Sequence, residues 1–188
     1  HKNSLCCHSS KIYSKYKNNR LLTIGIGANF EGKIWDTSNY LELANFLNNF
    51  FDVIILVGDK RDAILSKQFS LNYKGKIIDC CGHYNLLETA AIIKESDFFV
   101  GNDSGLMHMA AAMGTPTVGL FGPSPAVRYG PWGDHCVAVE STTSYADLVG
   151  APDFDYRATE NLMGGLSVDA VEQAAQNLWT QMTCDPNG

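Results

Sequence analysis

The sequence has little positive charge outside its first residues. Five of the 14 Lys and Arg residues, and none of the 20 Asp and Glu residues, lie in residues 1–20. Beyond Glu95 the basic side chains are Arg128 and Arg157 alone. A nucleic-acid backbone needs a basic face, so the acidic body excludes nucleic acid as the main partner. An anionic ligand would have to be held mainly by backbone amides.

Several other features are missing. No apolar run reaches the length of about 20 residues that a membrane span needs, and residues 1–20 lack the apolar segment of a signal peptide. The six cysteines include no CxxC pair, so we expect no metal site. Cys80 and Cys81 end an apolar run and are predicted to be packed, reduced thiols. These absences favour a cytoplasmic protein.

Short apolar runs alternate with amphipathic stretches from Leu21 onward. This alternation predicts an α/β fold, a Rossmann-like doubly wound parallel sheet over residues 21–188 that follows a basic linker or arm at residues 1–20. The predicted strands are Leu21–Gly27, Asp52–Gly58, Lys76–Asp79, Asp97–Gly101, Thr117–Phe121 and Cys136–Glu140. The predicted helices are Ser38–Asn49, Arg61–Phe69, Asn85–Glu95, Gly105–Met113 and Val168–Met182. Residues 141–166 have no clear period and are predicted to be irregular.

The loop after the first strand is rich in glycine. Gly27–Lys33 matches GxxxxGK, but Ile34 replaces the Ser or Thr that would hold Mg²⁺ in a P-loop. A glycine-rich turn with one lysine can still bind a phosphate without a metal. The alternative is a plain strand-to-helix turn with an exposed lysine.

The junction at Asn102–His108 is more specific. A strand ends there and a helix begins, and the first amides of a helix attract an anion. Helical spacing predicts a buried stripe of Leu106, Met109, Ala110 and Met113, and places His108 one turn from the helix start. Asp103 or Ser104 as a simple N-cap, and His108 as a structural residue, are the competing interpretations.

Two further loops belong to the same predicted edge of the sheet. Phe121–Gly133 holds three prolines and three glycines, with Arg128 and Trp132, and its aromatic wall suits a nucleoside or a sugar ring. Lys60, Asp59 and Tyr84 are candidate lining residues of two other loops, and ordinary surface positions are the alternative for each.

These motifs resemble a known family. Gly101–Gly133, with the letters NDSGLMHMAAAMGTPTVGLFGPSP and YGPWG, is similar to the C-terminal half of glycosyltransferase family 9, the heptosyltransferases of lipopolysaccharide core assembly and their relatives. Gly27–Trp35 resembles the family's first nucleotide-contacting loop, and Asn85–Glu88 resembles the segment that opens the preceding helix. The likeness runs from about Leu21 to Gly133 and resumes at Leu166–Val171.

The resemblance implies a GT-B glycosyltransferase, in which two Rossmann-like domains enclose the active site. The C-terminal domain holds the nucleotide-sugar donor, and the N-terminal domain supplies the acceptor site and the catalytic base. Such enzymes invert the anomeric centre without a divalent metal. This chain would be the donor-binding half, with its N-terminal domain absent and the fragment alone inactive. The expected donor is ADP-linked and heptose-like; the acceptor is a glycan or glycolipid such as lipopolysaccharide core, with peripheral membrane association through the full-length protein.

The resemblance also implies site residues. Lys33 matches the lysine on the donor phosphate, and His108 joins it in stabilising the leaving group. Ala28 and Asn29 stand where small hydroxylated residues often contact phosphate, and Lys60 stands near an acid that binds the ribose. The residues expected to hold the nucleotide-sugar are Ala28, Asn29, Lys33, Lys60, Tyr84, Asp103, Ser104, Gly105, Leu106 and His108.

Three other functions stay open. A GT-B relative such as a nucleotide-sugar epimerase would share the fold. A non-catalytic nucleotide-binding module would keep the donor site alone. A P-loop triphosphatase is the poorest alternative because Ile34 cannot hold Mg²⁺.

Overall fold

A single parallel sheet organises the computed structural model of the chain, which describes residues 14–143, 147 and 161–184. Its six strands all fall within the predicted runs or extend them by one residue. They are Leu21–Gly25 (β1), Val53–Val57 (β2), Ile77–Asp79 (β3), Phe98–Asn102 (β4), Thr117–Phe121 (β5) and Cys136–Glu140 (β6). Neighbouring strands follow the order β3-β2-β1-β4-β5-β6, and every pair is parallel.

Burial explains why these segments are strands. The four inner strands, β1, β2, β4 and β5, are buried at every residue, as expected for apolar runs covered on both faces. The edge strands β3 and β6 are only partly buried. The predicted doubly wound α/β sheet is confirmed.

Helices cover both faces of the sheet. They are Thr37–Leu47 (α1), Ala63–Asn72 (α2), Leu86–Lys94 (α3), Gly105–Ala112 (α4), the four-residue Ala126–Tyr129 (α5) and Val168–Cys184 (α6). Buried side chains of α1, α2 and α6 belong to one apolar cluster, and those of α3 and α4 belong to a second. The two clusters lie on opposite sides of the sheet because alternate residues of β1 and β2 divide between them.

Helix α6 closes the first face through aromatic packing. The Trp179 ring meets Phe51 edge-on at a centroid distance of 4.7 Å and Phe98 at 6.1 Å. Val171 and Ala175, two residues of the same helix, are fully buried. Aromatic pairs of this kind contribute about 1 kcal/mol each beyond their buried area. The predicted closing helix is confirmed.

A capping box fixes where α3 begins. The Asn85 side-chain oxygen accepts from the amides of Leu87 and Glu88, both at 3.0 Å, and the Asn85 amide donates to Glu88 Oε2 at 2.9 Å. Such a cap stabilises a helix by about 1 kcal/mol. It holds Tyr84 and Leu86, the residues on either side of Asn85, at the carboxyl edge of the sheet.

Helix α4 differs from its predicted packing. Met107 and Ala110 are fully buried, whereas Met113 is 39% exposed and Leu106 and Met109 are half-buried. The predicted stripe is confirmed for Ala110 and in part for Leu106 and Met109, which pack against the second cluster, but it is wrong for Met113, and it missed Met107. The reason lies in β5, where a side chain on Gly119 would place its Cβ 2.4 Å from Met107 Sδ. The absent side chain of Gly119 lets Met107 pack directly on the sheet.

The ends of the chain and the irregular excursion are described in part. Residues 1–13 of the predicted arm lie outside the described residues, and Tyr16 packs against the second apolar cluster. Of the predicted excursion, residues 141–143, 147 and 161–166 are described. Among the helices of the described segments, none is long and apolar enough to cross a membrane.

Candidate nucleotide site

A cleft of about 290 Å³ opens at the carboxyl ends of β1, β2 and β4. The strand order reverses between β1 and β4, and ligands of open α/β sheets bind at such a point. The lining comes from four loops and the first turns of α3 and α4. It consists of Gly27, Ala28, Asn29, Gly58, Asp59, Arg61, Asp62, Tyr84, Leu86, Thr89, Ser104, Gly105 and Leu106.

Buried Asn102 fastens the first loop to the end of β4. Its side-chain oxygen accepts from the amide of Trp35 at 3.0 Å, and its Nδ2 donates to the carbonyls of Ile26 at 3.2 Å and Gly27 at 3.3 Å. Asn102 is fully buried. An unpartnered amide or carbonyl at such depth is costly, so the geometry of the cleft floor depends on this one side chain.

Trp35 ties the same loop to the segment before α6. Its ring is buried and packs edge-on against Tyr40 at 5.1 Å, and its Nε1 donates to the carbonyl of Leu166 at 3.0 Å. The amide of Leu162 donates to the carbonyl of Gly32 at 3.1 Å. Residues 161–166, predicted only as irregular, therefore support the loop from behind.

The GxxxxGK stretch does not run directly into a helix. Glu31–Lys33 forms one 3₁₀ turn, and α1 begins only at Thr37. A P-loop places its lysine at the start of the following helix, where successive amides surround the phosphates. The observed geometry is that of a fastened strand-to-helix turn that carries a lysine.

That lysine forms an ion pair with the residue after β4. Lys33 Nζ lies 2.7 Å from Asp103 Oδ2, and the two side chains are 14% and 9% exposed. Neither residue lines the cleft, but Asp103 directly precedes its lining residues Ser104 and Gly105. The ammonium is thus held close to the start of α4.

The start of α4 presents unused hydrogen-bonding groups to the cleft. Ser104 occupies the N-cap position with extended backbone, but its side chain caps no amide. Its Oγ is buried and has no hydrogen-bond partner among the described residues. A Cβ built on Gly105 would meet nothing within 4 Å. The predicted capping role of Asp103 or Ser104 is therefore not what the geometry shows, and a ligand can approach the helix start closely.

Asp62 is a cleft residue that the sequence did not single out. Its carboxylate accepts from the amide of Asp59 at 2.8 Å and lies against Gly27 and Gly58, where a Cβ would come within 2.0 and 2.6 Å of it. Partial burial raises the pKa of Asp62. The sequence signal for Asp62 was its place as the second acid of GDKRD, just before a helix that follows a strand end; the residues selected from the sequence were Asp59 and Lys60.

Asp59 and Arg61 form an exposed pair beside it. Arg61 Nη2 lies 2.6 Å from Asp59 Oδ2, and this contact lowers the pKa of the Asp59 carboxyl. Lys60, between them, is exposed and absent from the cleft wall; its stem lies near Gly82, 3.1 Å from where a Cβ would stand. The carboxylates that line the cleft near Lys60 are those of Asp59 and Asp62.

Three lining residues, Tyr84, Leu86 and Leu106, make up the apolar wall of the cleft. Leu86 is 66% exposed although the adjoining cap fixes its backbone, and burial raises the pKa of Tyr84. An exposed leucine held on a rigid helix start is suited to packing against the face of a flat ring.

The remaining predicted residues fall into two groups. Ala28, Asn29, Tyr84, Ser104, Gly105 and Leu106 line the cleft, whereas Lys33, Lys60, Asp103 and His108 do not. His108 lies one turn into α4 and is exposed. Arg128 is exposed on α5, where its guanidinium lies 5.3 Å from the Tyr129 ring centroid, and Cys80 and Cys81 are buried as predicted.

A second cavity of about 460 Å³ adjoins the first and shares Ala28, Asn29, Arg61 and Asp62 with it. Across the segments that the structure describes, no cluster of three or more His, Cys, Asp or Glu side chains could hold a metal ion.

The sheet order and the cleft at its switch point define a Rossmann-like α/β domain. The model of glycosyltransferase family 9 (heptosyltransferase) matches residues 3–154, and the chain belongs to this family. The expectation from the sequence motifs is confirmed.

The curated relatives agree. Lipooligosaccharide heptosyltransferase 2 of Haemophilus ducreyi is 34% identical over 115 residues, which cover 57% of this chain and 33% of that protein. Its namesake in Campylobacter jejuni is 28% identical over 117 residues, covering 60% of this chain and 37% of that protein. The chain thus spans about a third of the length of these relatives.

Solved structures share the fold. A glycosyl transferase family 9 structure from Veillonella parvula superposes with a TM-score of 0.82 at 23% identity, covering 95% of this chain and 52% of that one. The ADP-heptose lipopolysaccharide heptosyltransferase II of Escherichia coli gives a TM-score of 0.78 at 21% identity, covering 96% and 53%. The chain corresponds to about half of each structure.

Proposed function

We propose that the cleft binds the nucleoside diphosphate of a nucleotide-sugar and that the chain is the donor-binding half of a heptosyltransferase-type enzyme. The observation that carries this is the open start of α4, where Ser104, whose Oγ has no partner in the described segments, and Gly105 line the cleft and the Lys33 ammonium lies on the adjoining Asp103. A helix start without a capping side chain favours an anion. Family membership makes a diphosphate the natural anion.

The apolar wall is the proposed place for the base, and the acids are the proposed partners of the ribose. Tyr84, Leu86 and Leu106 would pack on the faces of the base. The carboxylates of Asp59 and Asp62 are hydrogen-bond acceptors, which suit sugar hydroxyls. Relatives include an Escherichia coli heptosyltransferase solved with ADP, so an adenine nucleotide is the first candidate here.

The reaction that we propose is inverting glycosyl transfer. An acceptor hydroxyl attacks the anomeric carbon from the face opposite the leaving group, a new carbon–oxygen bond forms, and the bond to the diphosphate oxygen breaks. We expect the acceptor proton to pass to a base in a further, N-terminal domain. Negative charge grows on the diphosphate, and the amides at Ser104–Leu106, Lys33 and His108 would stabilise it without a divalent metal. Removing one preorganised donor of this kind costs about a hundredfold in rate.

We propose that the acceptor site lies in a further domain. We propose a glycan or glycolipid acceptor such as lipopolysaccharide core, reached on the cytoplasmic side, and an N-terminal domain that completes the active site. The isolated chain is expected to bind nucleotide and to turn over no donor. Product analysis with a labelled donor and the completed enzyme distinguishes transfer from epimerisation to a free sugar.

Calorimetry with ADP, UDP and GDP tests the proposal, with two glycine substitutions as a matched pair. Gly105→Leu blocks the proposed diphosphate position, whereas Gly164→Leu adds the same side chain at another glycine whose Cβ would meet nothing within 4 Å. We expect one-to-one binding of at least one nucleotide, at least tenfold weaker in Gly105→Leu and unchanged in Gly164→Leu. No binding, or equal affinity in both variants, would contradict the proposal.

A further inference from the structure

The Lys33–Asp103 pair reduces the positive charge that the proposed site offers to a diphosphate. The ammonium and the carboxylate are 2.7 Å apart and largely buried, on two loops that meet beside the start of α4. A nearby carboxylate offsets most of the electrostatic attraction that a buried ammonium exerts on another anion. The lysine that should attract a diphosphate is therefore already compensated within the protein.

The surrounding side chains do not add positive charge. The cleft itself is lined by Arg61, Asp59 and Asp62, so that the formal charge of these three and the Lys33–Asp103 pair together is −1. Attraction for a diphosphate therefore comes from backbone amides and the helix start. The carboxylate of Asp103 opposes it.

We infer that Asp103 is a positioning residue, the internal counter-ion of Lys33, which holds the ammonium beside the start of α4 and limits the affinity for the released nucleoside diphosphate. This inference rests on the proposed function. An ammonium carries three N–H donors, so Lys33 can keep its contact with Asp103 while donating to a diphosphate oxygen. The pair then stabilises charge that grows during transfer, while its low net charge favours release of the product.

A competing role for Asp103, orienting sugar hydroxyls, makes a different prediction. A carboxylate that contacts only the sugar affects nucleotide-sugar binding and leaves ADP binding unchanged. A counter-ion of Lys33 affects ADP itself. The Asp103→Asn substitution separates the two roles because asparagine can still accept the hydrogen bond from Lys33 while it carries no charge.

The experiment is calorimetric titration of the 188-residue chain with ADP at low and high salt, using wild type, Asp103→Asn, Lys33→Gln and the double variant. We expect Asp103→Asn to bind ADP about tenfold more tightly, with a steeper salt dependence. Lys33→Gln should bind at least tenfold more weakly, because it leaves Asp103 as a bare carboxylate beside the phosphates. A gain in affinity is a result that a merely structural role would not produce.

The double variant tests the counter-ion role of Asp103 if Asp103→Asn does not fold, because the double variant leaves no unpaired buried charge at this pair. We expect it to bind ADP more tightly than Lys33→Gln does. Equal or weaker binding by the double variant, or unchanged or weaker binding by folded Asp103→Asn, would overturn the inference alone. A folded wild type that binds none of ADP, UDP and GDP would overturn the proposed function and the inference with it.

Discussion

Replacing Asn102 with alanine should loosen the cleft more than any exposed lining substitution. The change removes three hydrogen bonds, one to the Trp35 amide and two to carbonyls of the first loop, at a fully buried position. Each bond contributes about 1 kcal/mol, and the buried Trp35 amide left unpartnered adds to the cost. We expect a loss of about 3 kcal/mol in the free energy of unfolding.

That loss is large enough to measure by two methods. For a chain of this size it lowers Tm by about 6–12 °C, and urea unfolding gives the free energy directly. Asn177→Ala is the control, because the Asn177 side chain is exposed and accepts from exposed Gln173 on the same helix, and its stability should change by less than about 0.5 kcal/mol. ADP affinity should fall in Asn102→Ala and stay constant in the control. If Asn102→Ala were as stable as Asn177→Ala, the side chain of Asn102 would not be what holds the first loop against the end of β4.

Three further perturbations test other parts of the structure. Trp35→Phe keeps an aromatic ring but removes part of the buried indole and its bond to the Leu166 carbonyl, so urea unfolding should show a loss of about 2 kcal/mol; an unchanged free energy of unfolding would contradict this role of Trp35. Because burial raises the pKa of Asp62 in the folded state, the folded chain binds the proton more tightly than the unfolded chain does, and this group's contribution to stability falls as the pH rises from about 4. Asp62→Asn should therefore gain stability relative to wild type between pH 4 and pH 7, and a pH-independent difference would contradict the shift. Burial also raises the pKa of the Cys80 thiol to about 12, so maleimide labelling followed by mass spectrometry should modify exposed Cys184 but not Cys80 at pH 8; rapid modification of both would contradict the packing.

The sheet was predictable because buried parallel strands leave a strong local pattern. A strand with a continuous apolar run, such as Val53–Val57, buries all its side chains only when helices cover both faces of the sheet. The start of α3 was predictable for a similar reason, since Asn85 and Glu88 stand at capping-box spacing. These features depend on residues close together in the sequence.

The site was predictable in outline and not in its contacts. The junction at Asn102–His108 was located because a strand end followed by Ser104 and Gly105 is a local signal. The pairing of Lys33 with Asp103, 70 residues apart, and the fastening by Asn102 depend on which loops the strand order brings together. The predicted packing of α4 was partly wrong for the same reason, because Gly119 on another strand determines which face of the helix is buried.

We propose above all that the open start of α4 receives the diphosphate. A crystal structure of the chain soaked with ADP tests it most directly. We predict the two phosphates within hydrogen-bond distance of the amides of Gly105 and Leu106, the Ser104 hydroxyl on a phosphate oxygen, and the base against Leu86. ADP seated with its phosphates in the neighbouring cavity, or the start of α4 left empty at saturating ADP, would contradict the account.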